Sequence, residues 1–320
     1  IQRSRGLGDV YKRQANIEQP GETTIPAKKA ADIIRELPEG QVSFELNEES
    51  SKLTVKSSSG KYNLSTIPGS DFPDFDVIKS DTTHKITPNK LYELFLKTSF
   101  AMANQDWRHY LNGCLFEKTG SSINMVATDA HRLAIYKSNL EGEGDFTGIV
   151  PRKTVIELMK ILPKQEDEIE FYINSNNIVF MSKKFTFKSK LIDGNYPNYN
   201  QVVPQGEGSK ITFNRKNMLD SLSRVSVLTS EKFKGVKLKT ESGVLDISAH
   251  NPDQESAEEK LDVTSAGNEF DIAFNVNYLK EVLGTIDEEE ISLISFGSDK
   301  SALVESGDSN QVLVLMPLLL

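Results

Sequence analysis

Three stretches of the chain share one apolar pattern. Ile25-Pro26-Ala27-Lys28-Lys29-Ala30-Ala31-Asp32-Ile33-Ile34, Val150-Pro151-Arg152-Lys153-Thr154-Val155-Ile156-Glu157-Leu158-Met159 and Phe274-Asn275-Val276-Asn277-Tyr278-Leu279-Lys280-Glu281-Val282-Leu283 each repeat apolar positions at helical spacing. They begin 125 and 124 residues apart. In the first two, proline stands at the opening helical position, where its missing N–H removes no intrahelical bond. The pattern predicts helices over 26–37, 151–164 and 275–287. After the first two, the period changes from 3.6 to 2: 42–46 and 169–173 alternate as half-buried strands do. Further strands follow at 52–56 and 61–67 in one copy, and at 177–181 and 185–192 in the next. Both copies close alike, with Asp71-Phe72-Pro73-Asp74-Phe75 and Asn195-Tyr196-Pro197-Asn198-Tyr199, again 124 apart.

A second helix family is predicted over 87–104 and 214–230, each followed by strands. One unit therefore reads helix, strands, helix, strands, and it recurs at the fixed period that marks a repeat architecture. The fold class is α+β. Segments 70–85 and 202–210, rich in Pro, Gly, Asp and Ser, separate the units as linkers do. Residues 1–14 carry +3 and fit nothing downstream. They lack the apolar core of a signal peptide and are set aside as a spurious leader. The expected domains are 15–78 (the back half of a first unit, truncated at its N-terminal side), 79–206 and 207–320.

Composition narrows the function. The 320 residues carry 26% charged side chains and a net charge of −9, which becomes −12 without the leader. The longest apolar run, 312–320, is short and broken by Pro317, so no membrane-spanning helix is expected. A single cysteine, Cys114, forms no internal disulfide and favours a reducing compartment. Four scattered histidines with that one cysteine argue against structural zinc. The charge is unevenly spread: the five predicted helices sum to +6, with 151–164 the most basic at +3, so the rest of the body carries −18. Helices that face a polyanion would show this split; solvated helix faces with surplus lysine would show part of it too.

Catalytic signatures fail one after another. Ser59-Gly60-Lys61 lacks the first glycine and the Ser/Thr of a phosphate loop, and Gly142, Gly144 and Gly148 miss the dinucleotide spacing. Asp129-Ala130-His131 is isolated, whereas two-metal nucleic-acid enzymes need several convergent carboxylates. Glu288-Glu289-Glu290 reads as a solvated turn. A nuclease or nucleotidyltransferase is therefore disfavoured, and no cofactor or metal is expected. The reading is of a binding protein.

Collinear motifs then carry a resemblance. Asn104-Gln105-Asp106-Trp107-Arg108-His109-Tyr110-Leu111-Asn112-Gly113, Ala127-Thr128-Asp129-Ala130-His131-Arg132-Leu133-Ala134, Ser189-Lys190-Leu191-Ile192-Asp193-Gly194 and Glu231-Lys232-Phe233-Lys234-Gly235-Val236 are similar to the bacterial DNA polymerase sliding clamp family, the beta subunit of the replicative polymerase. So are His250-Asn251-Pro252-Asp253-Gln254-Glu255-Ser256-Ala257-Glu258-Glu259 and the end Val314-Leu315-Met316-Pro317. The resemblance runs from about Ala15 to Leu320. It implies the DNA clamp fold, with helices lining a ring and sheets outside. It also implies a cytoplasmic, non-catalytic processivity factor of DNA replication, a homodimer when full length. Its implied partners are double-stranded DNA without sequence preference, the polymerase catalytic subunit, the clamp loader and other repair and polymerase proteins.

The resemblance also implies sites. A partner-peptide pocket would take Leu111, Thr128, His131, Arg132, Leu133, Pro197, Val202, Phe233, Asn275, Tyr278, Val314, Met316 and Pro317. For Leu133 or Val314 taken alone, ordinary packing is the better reading. DNA contacts would come from Gln105, His109 and Tyr110, with Arg152 and Lys153 added as the opening of the most basic helix. The dimer interface would use Tyr62 and Leu64 on one side and Val227 and Leu228 on the other. Two departures stand out. Ala130 replaces a frequent glycine, which implies a backbone that does not need positive φ there. Gln201 stands where some members of the family place an arginine at the pocket rim.

Overall fold

A computed structural model of the chain describes residues 16–71, 82–230, 232, 234–241, 243–266 and 271–318. It divides into two compact units, one of residues 1–79 with 181–188 and one of residues 80–180 with 189–320. The leader 1–14 lies outside the described residues.

In the first unit, helix α1 (Ala27–Glu36) is followed by a three-stranded antiparallel sheet in the order Ser43–Asn47, Lys52–Lys56, Lys61–Ser65. Ala30 from the helix meets Leu53, Val55 and Leu64 from the sheet, with Ile25, Ile33, Val42 and Leu46 around them. Thr23–Thr24 pairs with Ile67–Pro68.

The second unit repeats strand–helix–strand four times. His84–Ile86 leads into α2 (Pro88–Leu96), and Phe146–Pro151 into α3 (Arg152–Ile161). Ser209–Asn214 leads into α4 (Arg215–Val225), and Asp271–Asn275 into α5 (Val276–Gly284). The caps explain three of the starts. Thr87 Oγ1 accepts the Lys90 N–H at 3.3 Å and Asn214 Oδ1 accepts that of Asn217 at 3.1 Å. Asn275 Oδ1 accepts those of Asn277 and Tyr278. Each satisfies donors that a helix start leaves orphaned. Pro26 and Pro151 sit one position earlier than the sequence predicts: both are N-caps in extended conformation, so they close the preceding segment rather than open the helix. On α5 the buried residues are Val276, Leu279, Val282 and Leu283, a stripe at helical spacing that faces the core. Burial of each such side chain contributes about 1.5–3 kcal/mol.

Sheet order shows the repeat again. The four strands Ser256–Asp262, Val244–His250, Gly235–Glu241 and Asp271–Asn275 are arranged as are Arg132–Asn139, Ser122–Thr128, Gly113–Thr119 and Phe146–Pro151, 124 or so residues earlier. The earlier four do not end at Arg132–Asn139. That strand pairs with Gln311–Leu315, and the sheet continues through Ala302–Glu305, Glu290–Ser295, Ser209–Asn214 and Thr264–Ala266 to nine strands. Two repeats are thus welded edge to edge, with Leu133 opposite Val314 and Arg132 opposite Leu315.

The predicted helix 87–104 stops at Leu96. Thr98 leaves helical geometry (φ −126°) while its hydroxyl donates back to the Leu94 carbonyl at 2.7 Å. The apolar pattern runs on through a 3-10 turn, Ser99–Ala101, that buries Ala101 without extending the helix. Helices α3 and α4 also end in 3-10 turns, at Leu162–Lys164 and Ser226–Leu228.

Candidate functional site

The weld between the two repeats carries the first candidate site. Before Arg132–Asn139 begins, the chain makes a tight turn. Asp129 Oδ1 accepts the N–H of His131 at 2.9 Å and of Arg132 at 3.1 Å, while Thr128 Oγ1 accepts that of Ala130 at 3.1 Å. These bonds force Ala130 to φ 73°. The sequence expectation for this position is thereby corrected: the backbone does need positive φ, and alanine endures it because the side chains of Thr128 and Asp129 over-determine the turn. Asp129, set aside in the sequence as an isolated carboxylate, serves as a turn cap and as partner to Arg132.

Arg132 is the hub. Its side chain is 8% exposed, and its Nε donates to Asp129 Oδ2 at 3.1 Å and its Nη2 to the Phe100 carbonyl at 2.7 Å. Its Nη1 donates to Glu281 on α5. The guanidinium also lies 4.6 Å from the Tyr278 ring centre and 5.3 Å from that of Phe100, and His131 stacks on Tyr278 at 5.6 Å. Cation–π and charge-assisted contacts therefore tie the first of the two welded repeats to α5 of the second. Across the weld, the His131 carbonyl accepts the Met316 N–H at 2.9 Å; within the second repeat, the Leu318 N–H donates to the Ala273 carbonyl at 2.7 Å. The end of the chain is stitched down beside the turn.

The predicted pocket residues separate by depth. Leu133 and Val314 belong to a buried cluster with Leu115, Val126, Ile135 and Ile149, and Leu111 is also buried. Tyr196, Tyr199 and Val203 cover that cluster from a turn whose Pro197 and Val202 stay exposed. The Tyr196 hydroxyl reaches the Val126 carbonyl at 3.5 Å, and burial raises its pKa. His131 and Met316 are exposed, Tyr278 and Pro317 half-buried. Thr128 is occupied by the turn and by the Arg132 carbonyl, and Asn275 by its capping bonds. Phe233 lies outside the described residues. The predicted residues thus separate into a buried apolar set, Leu111, Leu133 and Val314, and an exposed set, His131, Pro197, Val202 and Met316.

A second candidate site surrounds the loop before Gly113–Thr119. Gln105 adopts φ 59° and borders a cavity of about 460 Å³ with Asn104, Asn112, Arg152, Lys153, Ile156 and Glu157. Three of the five predicted DNA residues therefore share one opening. Lys153 is exposed, whereas Arg152 is half-buried and donates from Nη1 to the Met102 carbonyl at 3.3 Å. His109 is exposed; Tyr110 is half-buried against the apolar cluster, which leaves less of its ring for a ligand.

The proposed dimer residues differ among themselves. Tyr62 lies 36% exposed on the edge strand Lys61–Ser65, but Leu64 is core. Val227 is 77% exposed in the 3-10 turn after α4, with Leu228 half-buried. Among the described residues no cluster of His, Cys, Asp and Glu could hold a metal, and no helix is long and apolar enough to cross a membrane.

Sequence reasoning missed Glu281, Phe100 and the ion pair of the buried Lys97 with the exposed Asp287, whose Nζ–Oδ2 distance is 2.6 Å. Their partners lie far away in sequence, and no local spacing could have revealed them.

Repeats of one strand–helix–strand unit, joined through a shared nine-stranded sheet, define a clamp-type scaffold. Comparison with known proteins identifies it further. Sequence models of the DNA polymerase III beta subunit match in order: the N-terminal domain over residues 9–76, the central domain over 85–198 and the C-terminal domain over 200–319. The chain is 39% identical to the beta sliding clamps of Pseudomonas aeruginosa and Escherichia coli K12, and 40% to that of Salmonella typhimurium. Each match spans 303 residues, 94% of this chain and 82% of the relative. The crystal structure of the P. aeruginosa DNA polymerase III subunit beta superposes with a TM-score of 0.89 at 38% identity, covering 96% of this chain and 84% of that one. A P. aeruginosa sliding clamp bound to griselimycin gives 0.88, over 94% and 82%. The chain belongs to the DNA polymerase III beta subunit family, the beta sliding clamps.

Proposed function

We propose that this chain is a DNA sliding clamp, a non-catalytic processivity factor that holds duplex DNA without reading its sequence and tethers the replicative polymerase. Its working form is a cytoplasmic ring of two copies, closed by the Lys61–Ser65 edge with Tyr62 and by the turn carrying Val227 and Leu228. Its clamp domains are 15–78, 79–206 and 207–320. Phosphate contacts come from Lys153 and Arg152, assisted by Gln105 and His109. Backbone phosphates attract such cations equally at every sequence position, so the protein is held on DNA yet free to slide.

Partners, including the polymerase, the clamp loader and repair proteins, dock a short apolar peptide at the groove beside the weld. The observation that best supports this reading is the Met316–His131 hydrogen bond at the end of the paired strands. This backbone bond holds two exposed residues, one from each repeat, at the end of the strand pair that carries the buried Leu133 and Val314. Titration of an apolar partner peptide tests it: Met316→Ala and Val202→Ala should each weaken binding by on the order of 1–3 kcal/mol with unchanged folding. Wild-type affinity in both variants would refute the groove.

A further inference from the structure

We propose that Trp107 is a stacking platform for unpaired bases of single-stranded DNA; this rests on the DNA-holding function above. Trp107 is 82% exposed, more than any other large apolar side chain among the described residues. Its only ring contact there is the Arg108 guanidinium, 5.7 Å from the ring centre.

A floppy loop could leave an indole in water by accident, but this loop is tied down. Asp106 N–H donates to Asn112 Oδ1 at 2.9 Å, and Asn112 Nδ2 returns to the Asp106 carbonyl at 2.8 Å. The Arg108 backbone N–H, Nε and Nη2 all donate to the Asp106 carboxylate, at 2.8, 3.0 and 2.8 Å. Further along, Ala103 N–H reaches the Leu111 carbonyl at 3.0 Å and Leu111 N–H the Arg108 carbonyl at 2.9 Å. Trp107 therefore projects between two residues locked to each other. The backbone that carries the ring is already ordered before binding, which spares that part of the ordering cost.

The surroundings select the ligand. Arg108 holds the Asp106 carboxyl down at about 2, so that acid stays ionised and is neutralised by its neighbour. The loop then presents no uncompensated negative charge of its own. Gln105 brings an amide and the exposed His109 an imidazole to the same loop, two residues before and after Trp107, and Lys153 lies on the same cavity as Gln105. Lys153 makes no hydrogen bond or ion pair among the described residues, which leaves its charge available to a phosphate. Glu157, also on that cavity, is bonded to Lys160 at 2.9 Å. An exposed aromatic face on a loop whose Gln105 borders a cavity with an unpaired cation combines the two parts that bind single strands, a stacking surface and a backbone charge. Duplex bases are stacked on one another and offer no open π-face, so the indole distinguishes the two forms while Lys153 does not.

Trp107 is the sole tryptophan of the chain, so its emission reports on this position alone. The experiment titrates oligo(dT) and a duplex of equal length at low salt, reading indole fluorescence together with the anisotropy of dye-labelled DNA. Oligo(dT) should quench the emission and the duplex should quench it far less. Trp107→Ala should weaken oligo(dT) binding about tenfold and leave duplex binding within twofold, Trp107→Phe should recover part of the loss, and Lys153→Ala should weaken both. Oligo(dT) binding without quenching, or with unchanged affinity in Trp107→Ala, overturns the stacking role and leaves the DNA-holding function standing. Failure of the wild-type chain to bind either DNA overturns both.

Discussion

Replacing Ala130 by glycine should stabilise the protein. Ala130 sits at φ 73°, a left-handed conformation that costs an L-residue with a Cβ about 1–2 kcal/mol. Glycine adopts it freely, but its unfolded chain has more states to lose, which offsets about 0.4–1 kcal/mol. The Ala130 side chain is exposed, so its removal opens no cavity, and the turn's hydrogen bonds run through backbone N–H groups that glycine keeps. The net expectation is a gain of about 0.5–1 kcal/mol. For a unit of this size that is a rise of about 2 °C in Tm. Differential scanning calorimetry of Ala130→Gly against wild type reads it directly, with Ala130→Val, a β-branched side chain at the same φ, as the opposing control. A glycine variant that melts at or below wild type would show that the turn is unstrained and that its side-chain caps do not impose the backbone.

Other outcomes follow from the same contacts. Arg132→Met strips the partner from Asp129, whose side chain is only 13% exposed, and should cost about 3 kcal/mol in urea unfolding; a loss under about 1 kcal/mol would deny Arg132 its role as hub. Leu133→Ala should lose about 2–5 kcal/mol of stability because Leu133 is core, so any loss of peptide affinity it causes must be read beside Met316→Ala, which should leave the melt unchanged. Burial pushes the Cys114 thiol up to about 12, above its ordinary 9.0, so native protein should resist a thiol reagent at pH 8 and react once unfolded. Because the folded state keeps that proton longer, stability should fall as pH rises from about 9 towards 12; prompt native labelling would contradict the burial. Arg152→Ala with Lys153→Ala should weaken retention on circular DNA and lower its salt dependence; an unchanged salt slope would remove both from the DNA surface.

The repeat was legible in the chain because burial leaves a period. The stripe of α5 and the alternation of Ile169–Ile173 are local patterns that distance cannot erase. Helix ends were less legible: 87–104 keeps its apolar pattern where Thr98 has already turned the backbone out of the helix. The groove was legible only through resemblance, since Arg132 and Glu281 meet across 149 residues and nothing in local spacing links them. Residue identity misled at Ala130, where the side chains of Thr128 and Asp129, not the residue itself, set φ.

In the proposed peptide groove Leu133 and Val314 have two duties: they form its floor, and their strand pairing knits one repeat to the next. For a small molecule that competes for the groove, this limits the routes to resistance. A substitution that reshapes the floor also loosens the weld, and selection removes it through misfolding before it can spread. Viable escape is confined to the rim, at positions such as Val202 and Met316 where side chains are 44% and 39% exposed. An inhibitor that draws its affinity from the floor and touches the rim sparingly would meet the fewest tolerated changes.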